Sequence, residues 1–225
     1  MQLDKPASNH LLKVLRLKNQ QAFVLFNGDG YEYPAILEIS GKSAVAHISE
    51  KHHPANESPL QIHLFQGISK GDRMDFAIQK SVELGVSEIT PVFCERTVVN
   101  LKGERLQKKI THWQSIVHSA CEQSGRNYIP QVNSAVNSTD LFIANDNDTR
   151  LILHPASQHK LSNIKAPDNN RLQLLIGPEG GLSEQEVSLA LACGFTGARI
   201  GPRILRTETA ALTTIAAAQL LWGDL

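Results

Sequence analysis

Apolar and polar positions follow two different rhythms along this chain. Through residue 57 they give short apolar stretches parted by turn formers. Phe23–Phe26, Tyr31–Ile39 and Ala44–Ile48 read as strands, separated by Asn27-Gly-Asp-Gly30 and Ser40-Gly-Lys42. A short helical stretch near Leu11–Leu17 precedes them. This part predicts a small β meander or barrel. Lys51-His-His-Pro-Ala-Asn-Glu-Ser-Pro59 is polar, carries two prolines and reads as a linker.

From Leu60 the pattern changes to alternating strands and helices. Leu60–Ile68 is an apolar run, and a helix is predicted over Arg73–Leu84, closed by Gly85. Val86–Phe93 is the next strand. Glu104–Ser124 is the longest helix, with Leu106, Ile110, Trp113, Val117, Ala120 and Cys121 on one face. The polar stretch Asn133–Asn147 carries a short helix at best. Leu151–Leu153, Leu172–Ile176 and Ala198–Ile200 read as buried strands. Between the last two lies a helix opened by Ser183-Glu-Gln-Glu186, a capping box, and ended at Gly194. Such alternation argues for an α/β fold with a mostly parallel sheet. The expected domains are residues 1–57 and 58–225.

The final helix, Thr209–Trp222, has no clear polar face: Ala210, Ala211, Ile215, Ala216, Ala217, Ala218 and Leu220 surround it. A helix apolar most of the way round is buried on several sides. Either it packs inside the core or it also meets a partner subunit, and the second reading is slightly preferred.

Composition narrows the classes. Basic and acidic residues balance at 22 each, so any RNA contact must come from local clusters. Three separated cysteines, Cys94, Cys121 and Cys193, suit reduced thiols in a cytoplasmic protein rather than a disulfide frame or a zinc site. The nine histidines show no metal-ligand spacing. The start is interrupted by charge and so unlike a signal peptide, and the longest apolar run, Ala210–Trp222, is too short to span a bilayer. The expectation is a soluble protein with no membrane contact.

Candidate chemistry concentrates in two loops. One is Gly177-Pro-Glu-Gly-Gly181, the other Gly201-Pro-Arg-Ile-Leu-Arg-Thr-Glu-Thr209, and each follows a buried strand. Glycine lets backbone approach a ligand and proline stiffens the turn, so the pair suggests a site built largely from main chain. Neither loop is a phosphate-binding or dinucleotide fingerprint, which counts against a nucleotide-dependent doubly wound enzyme. In the second loop Arg203 and Arg206 crowd a helix entrance, where the helix dipole already favours negative charge. Such crowding suits an anion or a developing negative charge. The plainer alternative is that Thr207 caps the helix and both arginines are solvated. His154-Pro155, at another strand end, lines the same cleft or merely turns the chain.

Five stretches carry a family resemblance: Ser69-Lys-Gly-Asp-Arg-Met-Asp75, Gln79-Lys-Ser-Val-Glu-Leu-Gly85, Ser119-Ala-Cys-Glu-Gln-Ser-Gly-Arg126, Ile176–Ser183 and Ile200–Ala211. Together they resemble the ribosomal RNA small-subunit methyltransferase E family, of the SPOUT class of α/β-knot enzymes. The resemblance covers nearly the whole chain. It implies an N-terminal PUA-like β-barrel that binds RNA, joined to a C-terminal SPOUT-type trefoil-knot domain. It also implies S-adenosyl-L-methionine as cofactor, a homodimer through the knot region, and methylation of N3 of one uridine in 16S rRNA of the small ribosomal subunit. Cofactor contacts would come from Leu153, His154 and Pro155; from Ile176, Gly177, Pro178, Gly180 and Gly181; and from Ile200, Gly201, Ile204, Leu205, Thr209 and Ala210.

For the chemistry, Arg206 is the first candidate to stabilise a uridine anion, with Arg203 second. Glu179 and Glu208 are candidate proton acceptors, and Glu208 suits a first-turn helix carboxylate equally well. Lys13, Arg16, Lys18, Arg96, Arg126 and Arg203 are candidate RNA contacts. The run Lys102, Arg105, Lys108 and Lys109 is either another or simply a solvated helix face. Family members usually carry a further basic and aromatic segment ahead of the point where this chain opens, at Met1-Gln-Leu-Asp-Lys-Pro6. The expectation is a truncated start or a short member. A catalytically inactive RNA-binding or assembly factor of the same fold is the alternative function.

Overall fold

A computed structural model describes residues 1–41, 43–141 and 148–225. The chain forms two compact units: Met1–Glu57 with Gly125–Tyr128, and Ser58–Ser124 with Ile129–Leu225.

The first unit is built on three antiparallel strands in sequential order, β1 (Ala22–Leu25), β2 (Tyr33–Ser40) and β3 (Ser43–Ile48). Isolated bridges at Gln2–Val45 and Glu32–His52 extend the pairing. Helix α1 (Lys5–Asn9) runs on into a π-helical turn, His10–Val14, so the helical segment begins before the predicted Leu11–Leu17 stretch and ends within it. Asp4 caps α1 by accepting from Ala7 N at 2.8 Å, and Pro6 sits in the first turn, where its missing N–H costs nothing. Leu3, Leu11, Ala35, Leu37, Ala44 and Ala46 form the core of this unit. Lys42, in the expected β2–β3 turn, lies outside the described residues.

The second unit holds a sheet in which every described pairing is parallel. Its strands are β4 (Gln61–Gly67), β5 (Val86–Phe93), β6 (Gln131–Val132), β7 (Val136–Asn137), β8 (Thr149–Leu153), β9 (His159–Lys160), β10 (Arg171–Ile176) and β11 (Thr196–Arg199). The order is β6-β5-β4-β10-β8-β11-β9, with β7 also on β5. Buried Ile62, Leu64, Ile89, Leu151, Leu172 and Leu174 explain why β4, β5, β8 and β10 read as continuous apolar runs: a parallel sheet is covered on both faces.

The helices are α2 (Asp72–Glu83), α3 (Gly103–Ser124), α4 (Ser138–Leu141), α5 (Glu184–Ala192) and α6 (Thr207–Trp222). Helix α2 packs on α3 and α6. Asp75 ties the first pair, accepting from His112 Nε2 at 2.8 Å and Trp113 Nε1 at 3.0 Å. Gln219 ties the second, donating to the Leu84 carbonyl at 3.1 Å while Ser58 donates to its Oε1 at 2.7 Å. Helix α6 buries Ala210, Ala211, Thr214, Ile215 and Ala218 but leaves Leu220 70% exposed. Within the polar stretch Asn133–Asn147 the described helix is α4, and residues 142–147 lie outside the described residues. No helix among the described residues is long and apolar enough to cross a membrane.

Candidate functional site

Strands β10, β8 and β11 lie side by side, so their carboxyl ends open on one side of the sheet. Ligands of open parallel sheets bind at such ends. The loops leaving them close around a cavity of about 590 Å³. It is lined by Leu153, His154 and Pro155 after β8, by Ile176–Leu182 at the end of β10, and by much of Arg199–Ala210 after β11. The first of these loops is pinned back to β11, because His154 N donates to the Ala198 carbonyl at 3.0 Å.

The glycine-rich loop after β10 is held by several segments. Glu179 Oε1 accepts from Lys70 N at 2.8 Å and from Arg73 Nη1 at 3.3 Å. Arg96 Nη1 donates to the Gly180 carbonyl at 3.2 Å, and Thr207 Oγ1 to that of Gly177 at 2.6 Å. Gly181 closes the turn with φ +71° and its N–H on the Pro178 carbonyl at 2.9 Å. The predicted capping box then opens α5: Ser183 Oγ accepts from Glu186 N at 3.2 Å, and Glu186 Oε2 accepts from Ser183 N at 2.8 Å. The second oxygen of Glu186 accepts from Glu95 N at 3.0 Å, which fixes the segment that presents Arg96.

Glu179 was expected as one of two possible bases, and its surroundings work against that role. Burial raises its pKa, but the N–H groups of Lys70 and of Glu179 itself, with the Arg73 guanidinium, prevail and hold it below the ordinary carboxylate value. A carboxylate so held is a poor proton acceptor. Glu208 differs: its Oε2 is buried at the cavity without a hydrogen-bond partner. Arg199 Nε, on the same cavity, is likewise buried and unpartnered. Glu208 and Arg199 thus each hold a polar atom in the cavity wall for which the described residues supply no partner.

Most sequence candidates meet here. Leu153, His154, Pro155, Ile176, Gly177, Pro178, Gly180, Gly181, Ile200, Gly201, Ile204, Leu205 and Ala210 line the cavity, as do Arg96, Arg203, Arg206, Glu179 and Glu208. Thr209 does not: it is exposed, on another side of the first turn of α6 from Thr207 and Ala210. Thr207 is the first helical residue rather than the cap, a position taken by Arg206, and its hydroxyl turns back to Gly177. Lys13, Arg16 and Lys18 are exposed in the first unit.

Arg126 corrects an expectation. It is 7% exposed, and its Nε and Nη2 both hold the Glu57 carboxylate, at 3.1 and 2.7 Å. An arginine engaged in this way is a structural tie, not a free phosphate contact. Arg73, Leu182, Arg199 and Thr207 line the cavity and were absent from the expected site. The only sequence signal for Arg73 was its place in the Ser69–Asp75 stretch. The thiol of Cys94 is pushed up to about 12, first by burial and then by the nearby Glu186 charge, which leaves it inert.

A family model described as an RNA methyltransferase domain matches residues 56–219, and one described as an RNA methyltransferase PUA domain matches residues 3–49. The chain belongs to the ribosomal RNA small subunit methyltransferase E family. It is 40% identical over 226 residues to that enzyme of Buchnera aphidicola subsp. Schizaphis graminum, covering 99% of this chain and 91% of the relative. The Bacillus subtilis enzyme is 31% identical over 229 residues, covering 96% and 90%. Among solved structures, the Neisseria gonorrhoeae family enzyme bound to S-adenosyl methionine superposes with a TM-score of 0.94 at 44% identity, over 100% of this chain and 93% of that one. A putative Legionella pneumophila methyltransferase in complex with the same cofactor also gives 0.94, at 40% identity and the same coverage.

Proposed function

We propose that this chain methylates N3 of a uridine in 16S rRNA of the small ribosomal subunit, with S-adenosylmethionine as donor. The observation that carries the reading is the three-loop cavity at the ends of β8, β10 and β11, rimmed by Arg96, Arg203 and Arg206. The residues fit the donor. Its size lies within the roughly 300–1,000 Å³ usual for small-ligand sites. Gly177, Gly180, Gly181 and Gly201 let backbone approach, Leu153, Ile176, Leu205 and Ala210 supply apolar contact, and Glu208 brings a carboxylate to the wall. When bound, the donor supplies an electrophilic methyl carbon.

The chain's own residues do the rest. Uridine N3 carries a proton at neutral pH, so its lone pair must be freed. Arg206 stands at the ring carbonyls and stabilises the anion as the proton leaves. Glu208 accepts that proton, in preference to Glu179, whose carboxylate is already held by Lys70 and Arg73. Arg96 and Arg203, with Lys13, Arg16 and Lys18 of the first unit, contact RNA phosphates, which position the strand without reading it. The PUA-like match and the family support a role for the first unit in RNA binding and a knotted second unit. Exposed Leu220 and Leu221 support a homodimer through α6.

The first test is calorimetric titration with S-adenosylhomocysteine, where saturable binding at one site per chain is expected. The second is methylation of small subunits and of naked 16S rRNA, with the modified base identified by mass spectrometry. A folded chain that binds no S-adenosylhomocysteine would overturn the catalytic reading in favour of an RNA-binding assembly factor.

A further inference from the structure

Gln66, at the end of β4, lies beneath the cavity rather than in its lining and is fully buried, at 0% exposure. Burying an amide unpaired is costly, so its partners are informative. Its Nε2 donates to the Gly67 carbonyl at 3.1 Å and to Thr207 Oγ1 at 2.9 Å. The Thr207 hydroxyl, having accepted that bond, gives its single proton to the Gly177 carbonyl at 2.6 Å. The direction of this relay is fixed by its ends. Both carbonyls are acceptors only, so the amide must present nitrogen to Gly67 and the hydroxyl must present hydrogen to Gly177. The opposite orientation would set the amide oxygen against the Gly67 carbonyl. As it stands, Gln66 Oε1 has no partner.

The relay joins the end of β4 to two parts of the cavity wall. Gly67 ends β4, Gly177 opens the glycine-rich loop, and Thr207 begins α6 and lines the cavity. The contact is tight: a Cβ on Gly67 would stand 2.4 Å from Pro178 N. Pro178 has no N–H to direct its own peptide, so the Gly177 carbonyl is the one handle on that peptide plane.

We infer that Gln66 is a positioning residue for the methyl-donor pocket. It holds the Thr207 hydroxyl as a donor to Gly177, and so fixes the glycine-rich loop against the first turn of α6. This rests on the donor reading above. The expected consequence is that the relay sets donor affinity while the fold persists without it.

The test is calorimetric titration of the full chain with S-adenosylhomocysteine, paired with thermal unfolding. Thr207→Val keeps the shape and removes the hydroxyl, and affinity is expected to fall about tenfold, the scale of one or two lost hydrogen bonds. Thr207→Ser restores the hydroxyl and should stay near the parent. Gln66→Met should weaken binding comparably, and the double variant should bind no worse than Thr207→Val alone, because both act through one relay. Unchanged affinity in Thr207→Val, failure of Thr207→Ser to rescue, or additive losses would overturn the positioning role alone. A parent chain that binds no S-adenosylhomocysteine overturns the donor reading and this role together. Should Gln66→Met fail to fold, the two Thr207 variants still decide, since they leave β4 untouched.

Discussion

The two Gly-Pro loops of the cavity leave neighbouring parts of one sheet through similar sequences, yet they are held in opposite ways. Gly177–Gly181 is fastened by Lys70, Arg73, Arg96 and Thr207, which belong to three separate stretches of chain. In Gly201–Arg206, by contrast, Ile204 is 84% exposed, and the side chains of Arg203 and Arg206 make no hydrogen bond or ion pair with the described residues. A site that must hold a small donor and also admit a large RNA has use for both. On the proposed function, the braced loop would give the donor a fixed seat without further ordering cost. The unbraced loop keeps its cations unpaired, available to a phosphate or a developing anion.

Substitutions can break this contrast from either side. The largest effect is expected from Arg206→Ala: methyl transfer should fall about 100-fold or more, the scale of losing one charge-stabilising donor, with S-adenosylhomocysteine affinity nearly unchanged. Parallel rate and binding measurements check it, and normal turnover would remove Arg206 from the mechanism. Gly67→Ala comes next. Its new Cβ would press on backbone, not on a pliable side-chain end, so roughly 1–3 kcal/mol of overpacking strain should appear as lower thermal stability and weaker binding.

The Glu179 clasp should respond to pH. Because its folded pKa lies below the ordinary value of 4.5, its contribution is full above that value and is lost as pH falls below it, through the folded pKa. Stability measured down through this range should decline less steeply in Glu179→Gln than in the parent. An identical slope would show that the clasp carries no net stability. Arg96→Ala removes one bond to the Gly180 carbonyl from an exposed side chain, so only a twofold to fivefold loss of affinity is expected, on the scale of about 0.5–1 kcal/mol.

Local signals made much of the fold legible. The capping box at Ser183, Gly85 and Gly194 just beyond α2 and α5, and the apolar runs of β4, β5 and β10 each act within a few residues of where they are read. The π turn at His10–Val14 and two-residue strands such as β6 and β9 are too short to leave a periodic trace. The loops of the site were legible for the same local reason, but their braces were not. Gln66 and Thr207 are separated by 141 residues and Lys70 and Glu179 by 109, so nothing near any of them in sequence announces the contact. Arg126 misled because an arginine just after a helix looks solvated, while its partner Glu57 lies 69 residues earlier.

That same pair bears on the order of events during synthesis. The first unit includes Gly125–Tyr128, whose Asn127 carbonyl accepts from Gly30 N at 3.2 Å and whose Tyr128 ring stands where any side chain on Gly30 would go. The amino-terminal strands are therefore made well before the segment that completes them. At about 5–20 residues per second, a nascent chain waits several seconds between Glu57 and Arg126. For that interval the Glu57 carboxylate has no guanidinium to hold, and the unit can finish only after the whole of α3 has been made.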